Sequence, residues 1–225
     1  ASWPACPQDE KMKHARLGIG LLAILGGLAA TGCAAKAYDY TNYRAYPPRS
    51  ILVLPPVNEG TDVRATYGYL STMTRPIAEL GYYVFPVALI DQLLKENGMP
   101  TPGEMVQAPL EKIREIIGAD AVLYITIQQY GTRFQLLAST TVVAAAARLV
   151  DTRTGTLLWE GRLAAEEGSG SSGNLLSDVI GALLTQVISQ STDRAHGVAA
   201  RANEQLAIKD RGLLHGPYSR RYGRE

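Results

Sequence analysis

The sequence predicts a mixed α/β domain: a single mixed sheet, parallel in its first half and made of antiparallel hairpins in its second, packed with helices. Two apolar runs, residues 51–54 and 121–127, have the composition and length of strands. Between them apolar side chains recur at steps of three and four, as in Val63, Tyr67, Leu70, Met73, Ile77 and Leu80, which marks an amphipathic helix. After them, Asp151-Thr152-Arg153-Thr154-Gly155 is turn chemistry between two β-rich stretches. Helical crossovers early and a tight hairpin late suit a sheet of this mixed kind.

In chain order, structure is expected from Ser50. Residues 51–54 form a buried strand closed by Pro55-Pro56, and residues 58–62 are loop. Pro76 lies inside the helical pattern and must kink the helix or restart it; Gly81 stops it. Residues 82–87 read as a second strand, and residues 88–97 as a short helix ending at Gly98. Thr101 and Glu104 have capping-box spacing, enough for one helical turn. Pro109 suits the first position of the next helix, whose buried face is Leu110, Ile113, Ile116 and Ile117 and whose end is Gly118. A strong strand runs over residues 121–130, with a turn at 131–133. In residues 134–151, Val142-Val143 favour strand whereas Ala144 to Ala147 in isolation favour helix; the hairpin turn that follows decides for strand. At about 3.3 Å per residue such a strand overruns a small domain, so a bulge or break is expected near residues 139–141. A β pattern resumes around Trp159. Residues 168–173, all Gly or Ser, are a flexible link. A long helix then carries Leu176, Val179, Ile180, Leu183, Leu184, Val187 and Ile188 on one face, with an interruption expected at His196-Gly197.

Residues 12–33 (MKHARLGIGLLAILGGLAATGC) combine a basic start, an apolar run over residues 17–30 and small residues before a cysteine, the make-up of an export signal. The pattern resembles the bacterial lipobox, with Ala30 where Leu is usual. The resemblance implies that Cys33 is the lipid-attachment residue, taking a diacylglyceryl thioether and becoming the N-terminus after cleavage. The apolar run falls short of the roughly 20 residues needed to span a bilayer, which favours a cleaved signal over a retained anchor. Ala34 follows the cysteine where inner-membrane retention usually shows Asp, which favours the outer membrane. The expected organisation is upstream residues plus a cleaved signal over 1–32, a lipidated tether over 33–48, the α/β domain over 49–207, and a basic, weakly structured tail over 208–225. The tether carries Tyr38, Tyr40, Tyr43 and Tyr46 and ends in Pro47-Pro48, which favour extended geometry. Its tyrosines either meet a partner or lipid headgroups, or pack the linker onto the domain surface.

Removing residues 1–32 takes away Lys11, Lys13 and Arg16 with Asp9 and Glu10, and so turns a formal charge of +1 into neutrality. A neutral domain argues against a nucleic-acid partner. The two cysteines are Cys6 and Cys33, so an acylated Cys33 leaves no thiol for a disulfide. The histidines after the signal are His196 and His215, and no carboxylate stands at helical ligand spacing with either. There is no Gly-x-Ser-x-Gly elbow, no Gly-Lys-Ser/Thr phosphate loop and no dinucleotide fingerprint. Asp120, Asp151 and Glu160 are the carboxylates that an acid/base reading would use. Strand-start, turn and outward-facing positions favour structural roles for all three. No catalytic residue, cofactor or metal is expected.

Several blocks carry a wider resemblance: Pro47-Pro48-Arg49-Ser50-Ile51-Leu52-Val53-Leu54-Pro55-Pro56, Leu80-Gly81-Tyr82-Tyr83-Val84-Phe85-Pro86, Glu96-Asn97-Gly98-Met99-Pro100-Thr101-Pro102-Gly103-Glu104, Gly118-Ala119-Asp120-Ala121-Val122-Leu123-Tyr124 and Asp151-Thr152-Arg153-Thr154-Gly155-Thr156-Leu157-Leu158-Trp159. Together they resemble bacterial outer-membrane lipoproteins of the genome-derived neisserial antigen type, a family of unknown function, over residues 33–222. The resemblance implies a fold similar to the TolB amino-terminal domain and to curli-secretion-channel-type lipoproteins, and an accessory role beside such channels. No pair of long, cleanly alternating membrane hairpins is present, which argues against a pore formed by this chain itself.

The leading expectation is a non-catalytic, periplasm-facing outer-membrane lipoprotein, an accessory subunit of an envelope secretion or surface-assembly complex. It is held to the membrane by its N-terminal lipid and has protein partners, with channel-type lipoproteins and copies of itself as candidates. The alternative is a periplasmic ligand-binding or carrier lipoprotein with a pocket near residues 55–62 and 99–107, where α/β loops commonly bind ligands.

Overall fold

Strand β1 (Ser50–Val53) is an inner strand of the sheet, with apolar side chains on both of its faces. Ile51 and Val53 point into one core, Leu52 and Leu54 into another on the opposite face, and all four are fully buried. A strand covered on both faces reads as a continuous apolar run, which is what residues 51–54 are. The computed structural model describes residues 38–135, 138–168 and 189–224. They belong to one compact unit that begins at Tyr38.

The described strands form one sheet in the order β3-β1-β4-β5-β6, with the two-residue strand β2 (Val57–Asn58) paired to β4 farther along. Strands β3 (Tyr83–Val84), β1 and β4 (Ala121–Gln135) are parallel; β5 (Ala138–Asp151) and β6 (Leu157–Gly168) continue the sheet antiparallel. The mixed sheet expected from the sequence is therefore the one observed. The second strand is much shorter than residues 82–87.

Helices α2 (Ala65–Leu70) and α3 (Thr74–Glu79) replace the single early helix, and Pro76 sits in the first turn of α3, where its missing N–H costs nothing. Pro76 thus belongs to a restart. Helices α4 (Val87–Glu96), α5 (Pro102–Met105) and α6 (Leu110–Ile116) cover the Leu52–Leu54 face with Ile90, Leu94, Met105 and Ile113. The capping box forms: Thr101 Oγ1 accepts from the Glu104 N–H, and Glu104 Oε2 accepts from the Thr101 N–H at 2.9 Å.

In β5 the alanine run is strand. Ala145 and Ala147 face the core with Val143 and Leu149, while Ala144, Ala146 and Arg148 face the other way. Helix α7 (Ser189–Asn203) lies across β4, β5 and β6 and buries Ala195, Val198, Ala199 and Ala202. Small residues on both sides let helix and sheet approach closely, so tertiary packing overrides the helical propensity of alanine. Helix α7 runs without a break through His196-Gly197, contrary to expectation. Gly131 to Arg133 is strand rather than turn, with Thr132 and Thr141 hydroxyls 2.8 Å apart across the ladder. The ladder irregularities fall between Ile127 and Gln129 and beside Leu149–Val150, not near residues 139–141. At the latter, β6 slips by one residue and buries both Leu158 and Trp159. The apolar helix face over Leu176–Ile188 lies outside the described residues.

A closed polar ring ties α7 to the α2–α3 elbow. The Tyr69 hydroxyl donates to Asn203 Oδ1 (2.6 Å), Asn203 Nδ2 donates to Thr72 Oγ1 (2.7 Å), and Thr72 Oγ1 donates to the Tyr69 carbonyl (2.6 Å). All three residues are buried, and burial pushes the Tyr69 hydroxyl far above its usual range.

Both ends of the described unit differ from expectation. Residues 38–48 are packed: Tyr40 and Tyr43 are buried and the short helix α1 (Thr41–Ala45) forms. Of the two readings for these tyrosines, packing onto the domain is the one observed. Residues 208–224, expected to be weakly structured, are held by named contacts. The Trp159 Nε1–H donates to the Arg211 carbonyl, the Tyr40 hydroxyl to the Gly212 carbonyl and the Tyr82 hydroxyl to the Leu214 carbonyl. Gly216 and Tyr218 N–H groups donate to the Leu80 and Gly81 carbonyls. Gly81 has φ +89°, and a Cβ there would lie 2.3 Å from the Ser219 nitrogen. A backbone passes where any side chain would stand.

Candidate functional site: an arginine and tyrosine groove

Helix α1 delivers the chain to Tyr46, Pro47 and Arg49, just before β1. Helix α6 and its Gly118 cap deliver Arg114 and Asp120 just before β4. The β5–β6 turn delivers Asp151 and Arg153, and the packed tail delivers Pro217 and Tyr222. These residues enclose a groove of about 330 Å³. A second groove of about 280 Å³, lined by Tyr43, Arg44, Tyr82 and His215, adjoins it through the shared Pro47 and Tyr222. The groove thus lies where β1 and β4 begin. A pocket was expected near residues 55–62 and 99–107, and neither groove includes those residues.

Two of the three carboxylates singled out in the sequence, Asp120 and Asp151, meet in this groove, whereas Glu160 is exposed on β6. Both groove carboxylates hold the backbone. Asp120 Oδ2 accepts from the Arg49 N–H (3.0 Å), the Ser50 N–H (3.2 Å) and Ser50 Oγ (3.2 Å). Asp151 Oδ2 accepts from the Thr154 N–H (2.8 Å) and Thr154 Oγ1 (2.7 Å), closing the hairpin turn. Thr152 Oγ1 bonds the Ala119 carbonyl at 2.6 Å, so the turn and the β4 junction are one unit. These acids build the floor of the groove.

The cations are differently placed. Arg49 approaches Asp120 only at 3.9 Å and is 76% exposed. The Arg153 guanidinium stands 5.3 Å from the Tyr46 ring centre, a cation–π distance. Among the described residues, Arg44, Arg114 and Arg153 have no carboxylate within 4 Å. The floor acids are spoken for by the backbone while the rim guanidiniums face solvent, so the groove presents donors to an anion. Sequence reading missed these arginines because they come from four separate stretches with no shared spacing; only Arg49 and Arg153 fall in recognised blocks.

Histidine chemistry is slight. His196 Nε2 lies 3.1 Å from Ser71 Oγ, which also bonds the Gly68 carbonyl, and His215 Nδ1 lies 3.2 Å from Ser219 Oγ. Among the described residues no three His, Cys, Asp or Glu side chains gather to hold a metal, and no helix is long and apolar enough to cross a membrane. Cys33 lies outside the described residues.

The outer edge of the sheet, strand β6, is covered. The Glu160 N–H donates to the Tyr38 hydroxyl (3.1 Å), Asn42 Nδ2 donates to the Leu157 carbonyl (3.2 Å), and the Gln205 amide bonds both the N–H and the carbonyl of Ala164. Burial pushes the Tyr38 hydroxyl above its usual range. Side chains thus occupy an edge that a neighbouring strand would otherwise use.

Residues 38–218 match the model of the family described as "Putative lipoprotein GNA1162-like". A relative from Neisseria meningitidis serogroup B, "Putative lipoprotein NMB1124/NMB1162", is 41% identical over 202 residues, 88% of this chain and 94% of its own. The crystal structure of lipoprotein GNA1162 from Neisseria meningitidis is 46% identical with a TM-score of 0.52, over 64% of this chain and 100% of that one. None of these descriptions names a catalytic activity. The chain belongs to the GNA1162-like lipoprotein family.

Proposed function

We infer that the protein is a periplasm-facing lipoprotein of the bacterial outer membrane, fixed through a lipid on Cys33, and that it serves as a non-catalytic subunit of an envelope secretion or surface-assembly complex. The observation that carries this reading is the docking of residues 38–48. A lipoprotein with a loose linker leaves its domain free to tumble; here Tyr40 and Tyr43 are buried within a few residues of the expected acylated cysteine. The packed domain therefore begins only a few positions after the expected anchor, which suits a part whose role is positional. More than one acyl chain makes such anchoring stable, since a single chain binds only marginally.

Cys33→Ala tests the anchor. The parent chain incorporates labelled lipid and fractionates with outer membrane, and the variant does neither. A variant that still fractionates with outer membrane, with no label in either form, overturns the reading. Crosslinking of the lipidated protein in cells tests the assembly role, which predicts a specific envelope protein partner.

A further inference from the structure

We propose that the arginine and tyrosine groove is a seat for phospholipid headgroups, laying this face of the domain on an anionic membrane surface; the proposal rests on the lipid-anchored reading above. The chemistry required is phosphate recognition, for which guanidinium groups are well matched. Arg44, Arg49, Arg114 and Arg153 ring the two adjoining grooves, and the carboxylates between them are engaged by backbone N–H groups. The tail that closes both grooves through Tyr222 adds Arg220, Arg221 and Arg224 in the same short stretch.

Two further observations favour a lipid surface over a free anion. The tail exposes large aromatic rings beside its arginines: Tyr218 is 71% and Tyr222 48% exposed. Tyrosine and arginine together at a surface suit the headgroup layer, where a ring has one apolar and one wet side. The second observation is reach. Tyr38 is tied by its N–H to the Asp210 carbonyl (3.2 Å) and by its hydroxyl to β6. Five residues from Cys33 to Tyr38 span at most about 17 Å. The grooves begin a few residues later in the chain, at Tyr43 and Arg44. An acylated Cys33 therefore keeps this face within a short distance of the bilayer.

The test uses the full lipidated chain in vesicles of phosphatidylethanolamine with phosphatidylglycerol, and in neutral phosphatidylcholine vesicles, read by hydrogen exchange over residues 44–50 and 217–224. Exchange is expected to be slower on the anionic vesicles and to return to the neutral-vesicle rate in Arg114→Gln/Arg153→Gln, or at about 0.5 M salt, where screening is within a few ångströms. Each arginine near an anionic surface contributes roughly fivefold to the equilibrium, so the double variant loses roughly 25-fold. Both side chains are exposed, and a distant pair that lines neither groove, Arg64→Gln/Arg75→Gln, is expected to leave exchange unchanged. Equal exchange on both vesicles, or equal loss in the distant variant, overturns the proposal. So does full protection on neutral vesicles by inorganic phosphate alone, which assigns the groove to a free anion. If the lipid anchor itself is wrong, the protein leaves vesicles of either composition, an outcome distinct from anchored protein with an unprotected groove.

Discussion

Replacing Asn203 with alanine is the most informative single perturbation of this fold. Asn203 is fully buried and makes the two bonds that join the end of α7 to the α2–α3 elbow, accepting from Tyr69 and donating to Thr72. Each such bond contributes about 1 kcal/mol net, and the Tyr69 hydroxyl left buried without an acceptor costs about 1–3 kcal/mol more. The expected loss is about 3–5 kcal/mol, a large share of the ~10 kcal/mol typical of a domain. Tyr69→Phe removes one bond and leaves Asn203 Oδ1 without its donor, for about 2 kcal/mol. In the double variant no tyrosine hydroxyl is stranded, so the combined loss falls short of the sum by about 1–2 kcal/mol. Urea unfolding of the four proteins, followed by circular dichroism, measures this coupling. Additivity within about 0.5 kcal/mol would refute the argument that the ring acts as a unit.

Gly81→Ala places a side chain where the Ser219 backbone passes and forces alanine to a left-handed conformation. The conformation alone costs about 1–2 kcal/mol, and hydrogen exchange at Gly216 and Tyr218 is expected to speed up as the tail lifts; unchanged protection there contradicts the close approach of the tail to Gly81. The tyrosines set the alkaline limit. Burial raises the hydroxyls of Tyr38, Tyr69, Tyr124 and Tyr130 above the ordinary value, so the unfolded chain loses those protons first. Their contribution is full below about pH 10 and is lost as pH rises through the folded-state values. Stability measured by denaturant midpoint is expected to fall steeply above about pH 10, and Tyr69→Phe to flatten that fall.

The sheet was legible because its evidence is local. An apolar run of four between punctuating residues, a capping box at Thr101 and Glu104, and the Asp151–Gly155 turn each declare themselves within a few positions. What was not legible depends on partners distant in sequence. Ala144 to Ala147 are an exception, since the turn that follows them already assigned them to strand, and β4 and β6 flank them there. Tyr40 and Tyr43 turn inward because Tyr82 and Gly212 receive them, across separations that no window detects. The groove follows the same logic. Asp120 and Asp151 were visible as candidates, and their structural roles followed from the positions they hold. The arginines above them come together only once β1, α6, the hairpin and the tail are folded.

The pairing of Tyr38 and Tyr40 with Asp210 and Gly212 has a consequence for biogenesis. The Tyr40 hydroxyl bonds a carbonyl 172 positions away, so this segment waits for one made much later before it has a seat. Closing so long a loop makes its contacts late in folding. The sheet and its helices are free to assemble while the two ends are still apart. The face beside the expected lipid is then completed last, and a chain truncated before Asp210 loses that face first.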